Sequence, residues 1–255
     1  MRTPTTVLIT GASGGIGAAL ARAYAAPGRT LVLHGRSAER LSAVHEECKR
    51  RGAEVESKLL DLRDRDAVGL WLNEVAARRV VDLAIANAGV SSHVRSSEAG
   101  ESWADIERVL EVNVRAAFAT AAALVPHMRR RGAGQIALIS SLAAWYGIPL
   151  TPAYSASKAA LKAYGESLRG WLAPCGVEVN VVLAGFVRTA MSEGYPGPRP
   201  WMLSADDAAQ RILRGLERNR ARISFPFPLD FGMWCLAVMP APLAQRILRG
   251  LGYGG

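Results

Sequence analysis

The sequence predicts an α/β fold: a single doubly wound parallel sheet with helices on both faces. Short β-branched or aliphatic runs alternate with amphipathic stretches along the chain, and no Pro/Gly/Ser-rich linker divides it. Such alternation implies right-handed β-α-β crossovers, which produce a parallel sheet. The length of 255 residues is that of one large α/β unit, and a hydrophobic content of 50% is sufficient for its core.

Six strands are predicted from runs rich in Val, Ile and Leu. They cover residues 7–9, 30–33, 55–60, 83–85, 135–139 and 177–183. Amphipathic stretches follow five of these strands and predict helices. The predicted helices begin near Gly15, Ser37 and Asp64, and two longer ones cover about 102–131 and 152–172. No internal repeat or low-complexity segment interrupts this order.

The formal net charge of +9 would permit a nucleic-acid partner or an anionic membrane. However, the basic runs at 49–51 and 129–131 each stand directly before a glycine, Gly52 and Gly132. Cations followed by glycine are typical of the last turn of a helix, where they meet the negative end of its dipole. We therefore expect these runs to be solvated helix ends and expect no nucleic-acid partner.

The cysteine pattern and the first residues of the chain bear on its location. Cys48, Cys175 and Cys235 stand far apart without a Cys-x-x-Cys pair, so neither a metal site nor a disulfide framework is predicted. Residues 1–6 contain a proline and three threonines, where a secretory signal would need an apolar stretch. A reducing cytoplasm is the simplest location.

A glycine-rich loop, residues 10–17 (TGASGGIG), directly follows the first strand and opens the first helix. Small residues let the backbone approach a pyrophosphate, whose charge is met by amide N–H groups and the positive helix terminus. A tight strand-to-helix turn would also select glycine. The β-α-β context nevertheless favours dinucleotide binding and a Rossmann-type sheet.

The end of the second strand indicates which dinucleotide is bound. An acidic residue there suits the ribose 2′-hydroxyl of NAD, whereas a cation suits a 2′-phosphate. This chain has Arg36 at that place and no nearby carboxylate. The sequence therefore predicts NADP(H) in preference to NAD(H). Alternatively, Arg36 is merely solvated, while Ser37 caps the next helix.

A tyrosine and a lysine on the fifth predicted helix form a second candidate site. Tyr154 and Lys158 are four residues apart and therefore share a helix face. A neighbouring ammonium favours the phenolate, so we expect the pKa of Tyr154 to be lowered. Such a pair alone would more often be a surface feature. Here, though, Ser140-Ser141 ends the preceding strand, at the sheet edge where ligands of open α/β folds bind.

These motifs resemble the short-chain dehydrogenase/reductase family, and the resemblance runs from Thr6 to about Thr189. Beyond the glycine loop, the chain has the family's Asn-Ala-Gly, its helix asparagine, and a serine thirteen residues before the tyrosine of its Tyr-x-x-x-Lys pair. The matching positions are Asn87-Ala88-Gly89, Asn113, Ser141, and Tyr154 with Lys158. The chain departs from the family in having Ala184-Gly185 for Pro-Gly, and Gly14 for a bulkier residue.

The resemblance implies an oxidoreductase that transfers hydride between a nicotinamide and a carbonyl carbon while Tyr154 donates or accepts the proton. Ser141 would hold the substrate oxygen, Lys158 would bind the nicotinamide ribose, and Asn113 would hold a water of a proton relay. The implied cofactor-binding residues are Gly11, Ser13, Gly15, Ile16, Gly17, Arg36, Asp61, Asn87, Gly89, Tyr154, Lys158 and Thr189. Alternatively, Ser141 merely ends a strand, Asn113 satisfies buried backbone and Thr189 caps a helix. The family's habits also imply a homodimer or homotetramer.

Two segments are expected to form the walls of the substrate pocket. They are 142–152, with Trp145, Tyr146, Ile148 and Leu150, and 186–202, with Met191, Tyr195 and Trp201. Large apolar side chains suit a lipophilic carbonyl or alcohol compound, although they would equally suit an ordinary core. Pro196, Pro198 and Pro200 predict an irregular loop that could cover the site.

The tail is strongly apolar between residues 225 and 244, but prolines and Asp230 interrupt it. Its longest uninterrupted piece, 231–239, covers about 14 Å, which is too short to cross a bilayer. We expect residues 1–224 to form the NAD(P)-binding catalytic domain and 225–255 an extension packed on it. The extension could pack on the sheet edge or a partner subunit, cover the substrate, or contact a membrane surface; we favour the first two.

Two other functions share this fold. A binding or scaffolding relative would retain the dinucleotide site without catalysis, and an enzyme could use the fold for epimerisation or dehydration. A relative without catalysis would be expected to lose Ser141, Tyr154 or Lys158, and this chain has all three.

Overall fold

The computed structural model describes residues 4–94 and 100–253. Within these residues, seven strands form one parallel sheet in the order β3-β2-β1-β4-β5-β6-β7. The strands are β1 (Thr6–Ile9), β2 (Thr30–Gly35), β3 (Glu54–Leu59), β4 (Leu83–Ala86), β5 (Gly134–Ser141), β6 (Val177–Ala184) and β7 (Arg222–Phe225). The predicted doubly wound α/β fold is confirmed.

Ten α-helices of the described chain surround the sheet. They are α1 (Gly15–Tyr24), α2 (Ala38–Arg50), α3 (Arg65–Arg78), α4 (Trp103–Val109), α5 (Ala116–Arg131), α6 (Pro152–Leu172), α7 (Ala190–Glu193), α8 (Ala205–Glu217), α9 (Leu229–Val238) and α10 (Ala241–Leu248). Side chains of Ser37, Asp64 and Ser102 accept backbone N–H bonds at the starts of α2, α3 and α4, as N-caps do. The basic runs end α2 and α5, where Gly52 and Gly132 adopt φ of +89° and +66°.

Several elements differ from the sequence prediction, which included none of the helices α8, α9 and α10. The helix expected over 102–131 contains a π-helical segment, Leu110–Arg115, between α4 and α5. β7 was not predicted, because its residues are not an aliphatic run: Arg222 and Ser224 alternate with Ile223 and Phe225. It pairs with β6 through Ile223 and Val182, so Phe225, the first residue assigned to the extension, is the last residue of this strand.

The core has a layer on each face of the sheet, as alternation along buried strands requires. In β1, Val7 and Ile9 pack toward α1 and α8, whereas Leu8 packs toward α3 and α5. A third cluster joins Leu183 of β6 to Met233, Leu236 and Leu248 of the C-terminal helices. The C-terminal segment therefore packs on the sheet beside β6.

Among the described residues, one continuous helical stretch, Trp103–Arg131, is long and apolar enough to meet the usual criterion for a membrane span. Half of its most apolar window is buried inside the protein. Ala117, Leu124 and Met128 of this stretch pack in the core against the sheet. Core packing thus accounts for its apolar character.

The strand order reverses at the centre of the sheet. The chain begins at β1, adds β2 and β3 on one side, and returns to add β4 on the other. The connections after β1 and β4 therefore leave in opposite directions, which opens a crevice at the carboxyl ends of these strands. The glycine loop and the Asn-Ala-Gly motif meet at this crevice.

Candidate active site

The glycine loop is packed against the start of α1 as tightly as backbone allows. A Cβ atom at Gly17 would lie 2.2 Å from the carbonyl oxygen of Gly11, so no other residue fits there. Gly14 is the N-cap of α1 and provides no side-chain hydrogen bond to the helix. The first N–H groups of α1 are therefore left for a ligand, and Gly14, Gly15 and Ile16 line the adjacent cleft.

Thr10 and Asn87 join the glycine loop to the segment after β4. The Thr10 hydroxyl accepts from the backbone N–H groups of Asn87 and Ala88, at 3.0 and 3.1 Å. The Asn87 amide nitrogen donates to the carbonyl oxygens of Thr10 and Gly11, at 3.0 and 3.1 Å. Asn87 therefore shapes the loop, with its amide hydrogens committed to protein rather than to a ligand.

His34 is a further support that the sequence analysis did not assign. It is buried at the end of β2, and burial lowers the pKa of its imidazole. Its Nδ1 accepts from the Gly11 N–H at 3.3 Å, which leaves Nε2–H to donate to the Leu60 carbonyl at 3.0 Å. A neutral histidine therefore joins the glycine loop to the end of β3.

The far end of the cleft carries its charged side chains. Arg36 and Arg40 line the cleft and are exposed, and no carboxylate among the described residues lies within ion-pair distance of either. Asp61 also lines it, and hydrogen bonding to Arg63 lowers the Asp61 pKa to about 2. Arg40 was not predicted; its only sequence signal is that it lies one helical turn after Arg36.

Ser141, Tyr154 and Lys158 lie together in the middle of the cleft. The Ser141 hydroxyl lies close enough to the Tyr154 phenol to favour a lower pKa, and the Lys158 ammonium lies 5.5 Å from the centre of the tyrosine ring. Lys158 is almost fully buried, and burial lowers its pKa to about 8. Burial also raises the Tyr154 pKa, and this outweighs the opposing effect of the Ser141 hydroxyl. The expected lowering of the tyrosine pKa is therefore absent, because desolvation is the larger effect.

Asn113 lies behind this group, within the π-helical segment. Its side chain accepts from the Val90 N–H at 2.8 Å and donates to the Val90 carbonyl and to the Ser157 hydroxyl, at 2.9 and 3.0 Å. Ser157 in turn donates to the Tyr154 carbonyl at 2.7 Å. The side chain of Asn113 therefore positions the segment after β4 against α6.

Thr189 is the N-cap of α7 and forms a reciprocal capping box with Ser192. The sequence analysis gave this capping role as the alternative to cofactor binding. It also lines the cleft, where a Cβ at Gly15 would approach its methyl carbon to 2.9 Å. Thr189 thus lies beside the glycine loop at the cleft wall. Its role as the N-cap of α7 does not prevent it from facing the site.

The cleft has a volume of about 670 Å³. Of the predicted site residues, all line it except Gly17 and Asn113, which lie directly behind its wall. Ile148, Met191, Tyr195 and Trp201 also line it, together with residues of α9, α10 and the chain end.

Three expected wall residues, Trp145, Tyr146 and Leu150, do not line the cleft. The Trp145 ring instead binds the cations of Lys162 and Arg222, 4.5 and 5.1 Å from its centre. These attractions hold the indole away from the cleft.

The chain is similar to known proteins over most of its length. The family profile described as short chain dehydrogenase matches residues 5–197. An uncharacterized oxidoreductase of Myxococcus xanthus is 34% identical over 247 residues, covering 96% of this chain and 97% of the relative. The protein belongs to the short-chain dehydrogenase/reductase family.

Solved structures of this family share its fold. A short-chain dehydrogenase from Sphingobium yanoikuyae in complex with NADPH has a TM-score of 0.81 and 28% identity, covering 96% of this chain and 95% of that one. A dehydrogenase structure from Beutenbergia cavernae with bound NADP at low occupancy has a TM-score of 0.77 and 27% identity, with coverages of 86% and 92%. This short-chain dehydrogenase is therefore an oxidoreductase whose structural relatives bind NADPH or NADP.

The buried His34 makes the stability of this dehydrogenase dependent on pH. Unfolded histidine titrates near pH 6.5, whereas folded His34 resists protonation, so stability falls as pH decreases from about 6.5 towards its lowered pKa. In His34→Gln an amide replaces both hydrogen bonds without titrating. We expect the wild type to lose on the order of 1 kcal/mol more stability than this variant between pH 7.5 and 5.5, measured by urea unfolding. His127→Gln on α5 is the control and should retain the wild-type pH dependence; an equal dependence in all three proteins would contradict the assignment.

Proposed function

We propose that this dehydrogenase transfers hydride between NADP(H) and the carbonyl or alcohol group of a lipophilic small molecule, with Tyr154 as general acid and base. One observation carries the proposal: Tyr154, Ser141 and Lys158 converge at the centre of a single cleft, between the glycine loop and an apolar chamber. The two ends of this cleft suit two different ligands, one phosphorylated and one apolar.

The residues present fit a dinucleotide. The free N–H groups of α1 suit its pyrophosphate, while Asp61 and the neighbouring Leu60 and Leu62 suit the adenine end. The space between Lys158 and Gly89 is narrow, because a Cβ atom at Gly89 would lie 3.5 Å from the Lys158 Nζ. We assign Lys158 to the nicotinamide ribose and Thr189 to the carboxamide. A nicotinamide held there supplies the hydride in reduction and accepts it in oxidation.

The proton chemistry follows from the electrostatics of Tyr154. Because burial raises its pKa, the phenol is protonated at neutral pH and ready to donate to a carbonyl oxygen held by Ser141. The phenolate left behind is then stabilised by the Lys158 ammonium beside its ring. This order of events favours carbonyl reduction at neutral pH, since oxidation needs the phenolate first.

The side chain of Asn113 has a role beside the one that the family resemblance implied, and the water-holding role of this residue stays a prediction. Its side-chain amide binds Val90 and Ser157, so it is committed to protein contacts. We assign this side chain a positioning role: it holds the Tyr154 segment through Ser157. A water of the proton relay is therefore not assigned to the side chain.

Two arginines support NADP(H) over NAD(H). Arg36 and Arg40 both line the nucleotide end of the cleft, so either guanidinium can reach a 2′-phosphate there. Arg40 also compensates for the contact that Gly14 cannot provide. The same preference agrees with the NADPH and NADP bound to the two structural relatives.

The alternatives are a silent NADP-binding relative and an epimerase or dehydratase on this fold. A silent relative does not explain why the tyrosine, serine and lysine remain together beside an apolar chamber. An epimerase or dehydratase would retain them, and it is distinguished by whether a carbonyl compound consumes NADPH. The three cysteines are free thiols, which suits the cytoplasmic location that we propose for the enzyme.

We expect Tyr154→Phe to reduce NADPH-dependent turnover at least about 10³-fold, because general acid catalysis contributes on this scale. NADPH binding, followed by calorimetry, should remain close to that of the wild type. Tyr164→Phe is a matched control on the same helix, since that ring stacks on Phe118 at 3.8 Å outside the cleft.

NADPH absorbance is followed with aldehydes, ketones and 3-ketoacyl thioesters. Full activity of Tyr154→Phe would remove the tyrosine from the mechanism, and no oxidation of NADPH by the wild type with any carbonyl would favour the alternatives.

We expect Arg36→Ser to raise the KM for NADPH about 10-fold or more, because a charge-assisted contact to the 2′-phosphate is lost. The KM for NADH should be unchanged, since that cofactor has no such phosphate. Arg130→Ser, an exposed arginine at the end of α5, is the control and should leave both values unchanged. A wild-type KM lower for NADH than for NADPH would refute the assignment.

We also propose a homodimer or homotetramer. The segment around α9 presents Phe227, Phe231, Trp234 and Val238, all exposed and spaced like one helix face. It adjoins β7, the last strand of the sheet. An apolar stripe beside a sheet edge suits a second copy of this chain.

We expect Phe231→Glu combined with Trp234→Glu to yield a smaller particle than the wild type by light scattering after gel filtration. Leu70→Glu, an exposed leucine on α3, is the control and should retain the wild-type mass. If the double variant keeps its mass but no longer sediments with anionic phospholipid vesicles as the wild type does, the stripe is a membrane contact instead.

A further inference from the structure

The chamber beyond Tyr154 contains two buried polar atoms without a hydrogen-bond partner among the described residues. They are Nδ1 of His93 and the hydroxyl oxygen of Tyr195. Both residues line the cleft, and their rings lie 5.9 Å apart at an interplanar angle of 72°. A buried polar group left unpaired costs roughly 1–3 kcal/mol, so two of them on side chains that line one cavity indicate a ligand group that satisfies them.

His93 is held in a fixed position relative to Tyr154. On one side, the Ser92 hydroxyl donates to Glu101, whose other carboxylate oxygen accepts from the Ala153 N–H at 2.8 Å. On the other side, the Val94 N–H donates to the Leu150 carbonyl at 3.0 Å. Ala153 begins the helix that carries Tyr154, so both neighbours of His93 are tied to the catalytic segment. The unpaired imidazole is thus a built feature and not the end of a loose loop.

Tyr195 approaches from the opposite loop, after α7. Its ring contacts Phe186, with ring centres 5.3 Å apart. It also lies over Gly197, where a Cβ would come within 2.7 Å of the ring. The hydroxyl is therefore placed by packing on both sides. A nearby phenol, Tyr253, differs in that its hydroxyl donates to the Pro198 carbonyl at 3.1 Å.

Both groups are uncharged at neutral pH. Burial lowers the pKa of His93, although Glu101 partly opposes it, and burial raises the pKa of Tyr195. A neutral imidazole and a neutral phenol do not offset the cost of burying a carboxylate or phosphate. A hydroxyl group suits both, because it donates and accepts and so satisfies either tautomer of the imidazole.

The surroundings restrict the rest of the ligand. Near the C-terminal helices the chamber is lined by large apolar side chains: Met233, Leu236, Met239, Leu248 and Leu251. Among the described residues that line the cleft, the charged ones are Arg36, Arg40 and Asp61 at the nucleotide end, and Lys158 at its centre. An apolar skeleton with few polar groups fits such a chamber.

We propose that His93 and Tyr195 form a specificity subsite that binds an uncharged hydroxyl group on an otherwise apolar substrate, at a distance from the carbonyl that reacts at Tyr154. This inference rests on the proposed function, since it defines the substrate of the same cleft. The substrate class is accordingly a hydroxylated alicyclic or similarly bulky ketone, and not an acyl group carried on a charged thioester.

The test compares decalone, a saturated two-ring ketone, with a panel of monohydroxylated decalones and a carboxylated one. In the wild type, at least one hydroxylated isomer should have a kcat/KM about 10-fold or more above that of decalone, as expected when a ligand pairs buried polar groups. The same isomer should bind more tightly than decalone to Tyr154→Phe by calorimetry, a readout that needs no turnover.

Two variants then assign the preference to the subsite. Tyr195→Phe and His93→Phe retain aromatic rings and should each reduce the preference for the hydroxylated isomer about 10-fold, in both kcat/KM and binding. Because the preference is a ratio of two substrates, decalone is the internal reference for each variant. Tyr253→Phe is the matched control, because its hydroxyl is already paired, and it should retain the full preference.

The outcomes separate the subsite from the proposed function. Reduction of decalones with no preference for any hydroxylated isomer, or with a preference that both variants keep, overturns the subsite and leaves the oxidoreductase assignment in place. A preference for the carboxylated decalone also overturns the subsite. Hydroxyl-dependent binding that Tyr195→Phe loses, without NADPH oxidation by the wild type, supports the subsite and rejects the oxidoreductase assignment.

Discussion

The proposed catalytic centre depends on one buried cation, the ammonium of Lys158. Its Nζ donates to the Ile139 carbonyl at 2.8 Å, near the end of β5, and the Ser140 hydroxyl donates to the Lys158 carbonyl at 2.7 Å. These two bonds join β5 to α6 and thereby set Ser141 beside Tyr154. Such partners offset part of the cost of burying an ammonium, and the remainder appears as the lowered pKa of Lys158. The fold therefore holds a nearly buried amine at the wall of the cleft.

The cleft around this cation is divided by polarity. At the reversal of strand order, the glycine loop, the free N–H groups of α1 and two arginines suit a phosphorylated ligand. On the other side of Tyr154, the C-terminal helices provide an apolar wall. In the proposed reaction, this division would exclude water where the two ligands meet. The extension after β7 lines the same cleft as Tyr154.

Much of the supporting structure consists of polar side chains bound to backbone. Thr10, His34 and Asn87 hold the glycine loop, whereas Asn113 and Glu101 hold the segments on either side of His93 to α6. Each makes hydrogen bonds between elements that are distant in sequence. Because buried polar groups are costly when unpaired, these residues specify one geometry rather than adding much stability. Three buried side-chain polar atoms of the described residues remain unpaired, on His93, Tyr195 and Ser224, and the first two belong to residues that line the cleft.

Local patterns determined the first six strands, the main helices up to residue 172, the glycine loop and the spacing that places Tyr154 and Lys158 on one helix face. These features depend on strand and helix periods and on glycine sterics, which neighbouring residues alone establish. The tertiary structure decided the π-helical segment at Asn113, the pairing of β7, the support from His34 and the turn of Trp145 towards two cations. It also reversed the expected pKa shift of Tyr154, since desolvation depends on what covers the ring and not on the lysine one turn away. Such effects arise from contacts between residues far apart in the chain, and no local pattern records them.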